Sequence, residues 1–300
     1  MVNQNSWMSE ISDDVCLSSL SIPGTHNSGA CYKTLPSVRC QNEPVYNQLV
    51  NGVRFLDIRV GKHHLKSRDD DAELTVVHGK FPVRIPIARK FIKVLTEIYD
   101  FLGENPSEAV LLSLKVEGVG DWDTQNDEFA QLLWNRYIQP NEHKWHFNSE
   151  LPRLGDARGR IVLMRRFKLT DQTLIPRFGF DASYWSYNTI EDDRGLFVVQ
   201  DKCELRNKEE IEQKVGFVKN LMQKAVDHNS SQDANKLFLN FTSGTNLINK
   251  DCWPDRVARA VANTDISSFF KKGCGVVILD FIDLDNWGLA RSLVDSNFQN

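Results

Sequence analysis

Two histidines stand where a chain could use them as an acid and a base. His26 follows Pro23, Gly24 and Thr25 in SIPGTHNSG, and His78 closes an apolar run in VVHGK. An imidazole titrates near neutrality, so a pair can take a proton from one oxygen and give one to another. Pro23 and Gly24 should stop the strand before His26 and display the imidazole outside the sheet. Other apolar runs also end on residues that carry chemistry: Asp57 and Arg59, two apart and so on one strand face, then Lys115 and Glu117, Arg165 and Arg166, Asp201, Thr242 and Ser243, and Asp280. Each alone has a structural account, as a strand-tip ion pair or a cap. Together, histidines, cations and carboxylates at successive strand ends describe a pocket for an anionic, hydroxyl-rich ligand, because an unpaired buried ion costs several kcal/mol.

Bringing these ends together requires strands that point the same way. Apolar and β-branched runs recur at residues 17–22, 53–60, 74–78, 109–116, 160–167, 196–200, 237–241 and 276–282. Between several of them, residues 87–106, 128–138, 207–226 and 254–270 carry apolar side chains at helical spacing. Strand and helix in alternation imply a parallel sheet, since each parallel return needs a crossover. The pattern predicts an α/β fold, an irregular (β/α)8 TIM barrel forming a single catalytic domain over residues 1–300. The connections between its first three strands are poor in helix, which places the irregularity there. In such a barrel the active site lies at the C-terminal ends of the strands. The alternative, an open doubly wound sheet, lacks its Gly-rich dinucleotide turn after the first strand.

Composition narrows the partners. With 36 Lys and Arg against 40 Asp and Glu, dispersed along the chain, there is no basic footprint for nucleic acid. No apolar run reaches the roughly 18 residues of a membrane span, and MVNQNSWMSE lacks the basic start and apolar stretch of a signal peptide. A cytoplasmic or membrane-peripheral protein is expected; a secreted chain stripped of its leader would read the same way. Six scattered cysteines without CxxC spacing argue against a zinc site and for reduced thiols, with a Cys31–Cys40 bridge as the alternative in an oxidising compartment.

The blocks SIPGTHNSG, FLDIRV, VVHGK, NPSEAVLLSLKVE, GDARGRIVLMRRF, VVQDKCEL, LFLNFTS and VVILDFI, in that order, resemble the small, single-domain bacterial phosphatidylinositol-specific phospholipases C across nearly the whole chain. The resemblance implies a distorted barrel and a phosphodiesterase reaction. The inositol 2-hydroxyl attacks the adjacent phosphorus, giving diacylglycerol and inositol 1,2-cyclic phosphate. It makes His26 the general base, His78 the general acid and Asp280 the carboxylate that orients the base. Arg59, beside Asp57, stands where the large eukaryotic enzymes carry a second acid for calcium. No metal or other cofactor is therefore expected, calcium being the disfavoured alternative.

Asn27 departs from the pattern, since the metal-free bacterial enzymes usually carry aspartate there and the calcium enzymes carry asparagine. An amide can orient Arg59 or His78 but cannot raise the acid's pKa as a carboxylate would. Lys115, Arg166 and Asp201 fall at inositol-contacting positions. Cys203 replaces a stacking tyrosine, with Trp185 or Tyr187 as substitutes unless both merely pack a loop. The implied partner is phosphatidylinositol or a related inositol lipid, met at the membrane periphery by a monomer. Leu247, Ile248 and Trp253 in SGTNLINKDCWPD are the expected lipid contacts, with residues 81–87 as the alternative; Trp253 could instead staple its loop to the next helix. Two further readings are a metal-dependent glycerophosphodiester phosphodiesterase-like barrel and a catalytically impaired phosphoinositide-binding module.

Overall fold

Long apolar runs such as VLLSLKV and GVVIL suit strands covered on both faces, as a parallel sheet requires. In the computed structural model, which describes residues 2–62, 73–231 and 235–299, these runs become part of one large sheet. Its strands are β1 (Ser21–Thr25), β2 (Phe55–Lys62), β3 (Leu74–His78), β4 (Phe81–Pro82), β5 (Val110–Val116), β6 (Trp145–His146), β7 (Ile161–Arg166), β8 (Phe180–Asp181), β9 (Asp192–Asp193), β10 (Phe197–Gln200), β11 (Leu237–Phe241) and β12 (Gly275–Leu279). The helices are α1 (Val45–Val50), α2 (Phe91–Glu104), α3 (Glu128–Leu133), α4 (Leu154–Ala157), α5 (Lys208–Asn229), α6 (Pro254–Ala262) and α7 (Gly288–Ser296). Asn207 caps α5 by accepting from the Glu210 N–H at 3.0 Å, and Pro254 opens α6, where a missing N–H costs nothing.

Parallel neighbours in the order β7, β5, β2, β1, β12, β11, β10 curl into a distorted TIM-type barrel. The short β6 and β8 lie along the free edge of β7, and β9 runs antiparallel along β10. Among the described residues no ladder joins these two edges. One apolar layer fills the barrel, and a second lies between the strands and the outer helices. The register across β2, β5 and β7 stacks the interior in tiers: Phe55, Leu111 and Val162 form an apolar floor, then come Asp57, Ser113 and Met164, then Arg59, Lys115 and Arg166.

Three expectations are corrected in detail. Residues 17–19 form a 3-10 turn, and β1 runs through Pro23 and Gly24 instead of stopping at them. The Pro23 carbonyl accepts from the Arg54 N–H at 2.9 Å, and a Cβ on Gly24 would sit 3.1 Å from Phe55 and 3.2 Å from Ile278, so this glycine serves close packing. The chain leaves the sheet later, at Asn27, whose φ is 42°. Second, β3 is no barrel stave: it pairs antiparallel with the outer end of β2, Val60 opposite Val76, and hangs over the mouth. Third, the sheet opens between the β7 and β10 edges as well as being irregular near its first strands. The thiols of Cys31 and Cys40 are both free, so no bridge joins them.

Candidate active site

Side-chain alternation along the strands does the first part of the placing. Asp57 and Arg59 on β2, Lys115 on β5 and Arg166 on β7 all point inward above the apolar floor, at the C-terminal end of the barrel. They form one hydrogen-bonded cluster. Asp57 accepts from Arg59 Nε at 3.2 Å and Nη2 at 3.1 Å through one oxygen, and from Arg166 Nη1 at 2.9 Å through the other. Glu117, just past β5, accepts from Lys115 Nζ at 2.6 Å, from Arg59 Nη1 at 3.1 Å and from the Gly79 N–H at 2.8 Å. Burial pushes both carboxyls up, but Arg59 with Arg166, and Arg59 with Lys115, outweigh it: Asp57 lies well below the usual carboxylate range and Glu117 falls to about 2.

His26 and Asp280 extend directly from the ends of the paired strands β1 and β12, and the His26 N–H donates to the Leu279 carbonyl at 3.0 Å. His26 Nδ1 meets Asp280 Oδ1 at 2.8 Å, which assigns the proton to Nδ1 and leaves Nε2 as the free base. Asp280 is pushed up by burial, with His26 opposing. The Asn27 amide donates from Nδ2 to His26 Nε2 at 3.2 Å, and its backbone N–H reaches Asp57 at 3.3 Å. The expected contacts of Asn27 with Arg59 or His78 are thus replaced by one with His26, because the left-handed backbone at Asn27 turns the amide back over its neighbour.

His78, at the end of the overhanging β3, brings its ring 5.6 Å from that of His26. Its Nδ1 donates to the Val38 carbonyl at 2.8 Å, leaving Nε2 to act. Burial lowers its pKa to about 4, with Arg59 and His26 adding to the shift, so the imidazole is neutral at pH 7 in the empty pocket.

These residues line a cavity of about 360 Å³ that also includes Tyr184, Trp185, Tyr187, Asp201 and Cys203. The Arg166 guanidinium lies 3.8 Å from the centre of the Trp185 ring, whose Nε1 donates to Asp201 at 3.2 Å. Trp185 is therefore a fixed wall. Tyr187, 75% exposed with its hydroxyl donating to Glu204 at 2.8 Å, stands at the rim near Cys203, and Tyr184 is exposed at the rim as well. On the loop before α6, Leu247 is 74% and Ile248 94% exposed. Trp253 sits at the loop's base, half-buried with its indole nitrogen out of solvent, and the exposed apolar tip of the loop is Leu247 and Ile248. Phe81, Ile85 and Ile87, in the alternative segment, are exposed as well.

Lys214 and Cys40 are not marked by the sequence as site groups, and Glu117 is marked only as a strand-end charge beside Lys115. Glu117 reads as a solvated partner of Lys115 but also holds Arg59. Lys214, buried on α5, donates to Gln200 Oε1 at 3.2 Å and the Lys202 carbonyl at 2.6 Å, pinning the strand end that carries Asp201; burial lowers it to about 8. Cys40 places its sulfur 3.6 Å from His78 Nδ1, and burial together with Asp280 pushes its thiol well above its ordinary value. No local pattern marks these roles, since the partners come from distant strands.

A distorted barrel whose mouth gathers two imidazoles, a buried carboxylate and a guanidinium cluster is an enzyme of acid–base chemistry on an anionic substrate. The family model described as phosphatidylinositol-specific phospholipase C, X domain, matches residues 14–167, and the chain belongs to that family. It is 29% identical to the 1-phosphatidylinositol phosphodiesterase of Listeria monocytogenes over 93% of this chain and 82% of that protein. It is 26% identical to the enzyme of the same name from Staphylococcus aureus, over 97% of this chain and 93% of that one. Among solved structures it resembles phosphatidylinositol-specific phospholipase C from Staphylococcus aureus, with a TM-score of 0.80 at 23% identity covering 98% of both chains. The Listeria monocytogenes enzyme gives a TM-score of 0.72 at 24% identity over 99% of both chains.

Proposed function

We propose that this chain is a phosphatidylinositol-specific phospholipase C that cleaves phosphatidylinositol to diacylglycerol and inositol 1,2-cyclic phosphate without a metal. The observation that carries the reading is the placement of His26, locked to Asp280 at 2.8 Å, 5.6 Å from His78 and beside the Arg59 cluster. His26 Nε2 takes the proton of the inositol 2-hydroxyl, displacing the Asn27 amide that now fills that lone pair. The oxygen attacks phosphorus, the bond to the glycerol oxygen breaks, and His78 gives that oxygen a proton. Asp280 holds the proton on Nδ1 and stabilises the imidazolium that forms, as the aspartate of a serine-protease triad does.

Arg59 supplies the positive charge that phosphoryl transfer needs. Three of its N–H groups are spent on Asp57 and Glu117, and a guanidinium has about five, so about two remain for non-bridging oxygens. A cation of this kind stands where calcium would otherwise act, and the two carboxylates bonded to it, Asp57 and Glu117, are already held in ion pairs by Arg59, Arg166 and Lys115. Arg59 and Asn27 standing beside His26 and Asp57, where a metal-dependent glycerophosphodiester phosphodiesterase would gather carboxylates, speak against that reading. A bound phosphodiester offsets the field of Arg59 and raises His78 toward the protonated form an acid requires. Lys115, Arg166 and Asp201 supply donors and an acceptor to the inositol hydroxyls, and Tyr187 takes over the aromatic contact that Cys203 lacks. Lipid is reached through peripheral contact at Leu247 and Ile248; the Staphylococcus aureus enzyme of this fold binds membranes. No described helix is long and apolar enough to cross a bilayer.

His26→Ala and His78→Ala test the roles. Each should lower turnover on phosphatidylinositol vesicles at least about a hundredfold. A folded variant of either that keeps most of its activity refutes the assignment.

A further inference from the structure

Beside the catalytic pair lies a thiol that the reaction does not use. Cys40 is buried and held between two site loops: its N–H donates to the Ala30 carbonyl at 3.0 Å, in the loop after His26, and its carbonyl accepts from the Phe281 N–H at 2.7 Å, in the loop after Asp280. One donor atom each from His26, Cys40 and Asp280 lie within 4.8 Å of one another. A second observation points the same way. Asp280 is buried, and while Oδ1 is taken by His26, its Oδ2 makes no hydrogen bond of good geometry and has only the weak thiol donor of Cys40 acting on its carboxylate. A buried acceptor so poorly paired costs free energy that a stronger partner would recover.

We infer that His26, Cys40 and Asp280 form an inhibitory site for a thiophilic divalent cation of the zinc class. Sulfur, nitrogen and carboxylate oxygen are the donors zinc takes, at roughly 2.3 Å and 2.0 to 2.2 Å, which sets donors about 3.3 to 3.8 Å apart around a tetrahedral ion. The three groups reach that spacing with movements on the order of 1 Å. Binding releases the Cys40 thiol proton to solvent, and the thiolate and the Asp280 carboxylate together balance the dication. A harder cation such as calcium prefers six to eight oxygens and gains nothing from the sulfur.

The consequence for catalysis does not depend on which imidazole nitrogen ligates. If Nε2 binds the ion, the lone pair that would accept the substrate proton is used. If Nδ1 binds it, the ring proton moves to Nε2, and again no base faces the substrate. The inhibition rests on the function proposed above; the binding does not.

The test is a titration of the reduced, substrate-free protein with Cd2+, following the cadmium–thiolate charge-transfer band, and with Zn2+ by calorimetry. The expected result is one equivalent bound with a thiolate band. The band should be lost in Cys40→Ala, weakened at least about tenfold in affinity in Asp280→Asn, and kept in Cys203→Ser. If Cys40→Ala does not fold, Cys40→Ser, with its harder oxygen donor, must lose the band. A wild-type protein without the band, a band that survives removal of Cys40, or one that disappears with Cys203 overturns the site. Zn2+ should also abolish phosphatidylinositol cleavage, with recovery in chelator. A protein that binds cadmium through Cys40 yet never cleaves phosphatidylinositol refutes the proposed function and leaves the metal site standing.

Discussion

Arg54 and Arg59 lie five residues apart, one just before β2 and one within it, and do opposite things. Arg54, just before β2, is fully buried and paired with Glu108 at 2.7 Å. Its Nε also donates to Glu108, while Nη1 reaches the Leu49 and Val53 carbonyls and Nη2 those of Gln4 and Asn5. Every N–H is spent, and the guanidinium sits 4.6 Å from the Phe101 ring centre. Arg59 is held as firmly by Asp57 and Glu117 but keeps donors free and faces the cavity. The saturated arginine ties the N-terminal segment to the barrel floor. The unsaturated one faces the cavity with N–H donors left over, which suits the non-bridging oxygens of a phosphodiester. Strand position alone does not distinguish the two; the count of unused hydrogen-bond donors does.

Breaking each arginine should therefore cost different things. Arg54→Met leaves Glu108 buried without its partner and should destabilise the protein by about 3 to 5 kcal/mol in denaturant unfolding, with KM unchanged in the fraction that remains folded. An unchanged unfolding midpoint would mean that the buried pair is not what anchors the floor. Arg59→Lys keeps the charge but loses the fork, and turnover should fall roughly a hundred- to a thousandfold, about 2.7 to 4 kcal/mol in the barrier, with a smaller change in stability. Near-normal turnover would mean that a point charge suffices.

The pH dependence of stability sharpens the comparison at Glu117. Its folded pKa, about 2, lies below the ordinary 4.5, so its ion pairs stabilise the folded state above pH 4.5, and that contribution is lost as pH falls towards 2. The loss should be at most about 3 kcal/mol in wild type. Glu117→Gln should flatten the unfolding free energy over that window; an equal slope in both proteins would place the acid sensitivity elsewhere. The smallest effect is expected at the rim. Leu247→Ser should weaken adsorption to phosphatidylinositol vesicles by about 1 kcal/mol, less than full burial would give, and leave cleavage of soluble inositol 1,2-cyclic phosphate unchanged. Equal losses on both substrates would make the loop part of the pocket.

The barrel and most of its mouth were legible in the sequence because alternation along each strand decides which residues face inward. Asp57 with Arg59, and Lys115 and Arg166 at their strand ends, need only that rule and the strand boundaries. Pro23 and Gly24 misled because both are common at turns. Here the proline needs no N–H, and the glycine admits Phe55 and Ile278. The antiparallel course of β3 was not legible, since an apolar run carries no direction. Nor were the two-residue strands β4, β6, β8 and β9, too short to show a period. The grip of Glu117 on Arg59 and the place of Cys40 beside His78 escaped for a different reason: these contacts join segments far apart in the chain, which no spacing within one segment records.

Phosphorus NMR of phosphatidylinositol vesicles incubated with the wild-type protein, in excess chelator and in calcium, bears most directly on Arg59 standing in for a metal. The expected result is a signal for inositol 1,2-cyclic phosphate that appears at the same initial rate in both, alongside released diacylglycerol. Loss of that signal in chelator, or phosphatidic acid as the product, would contradict it.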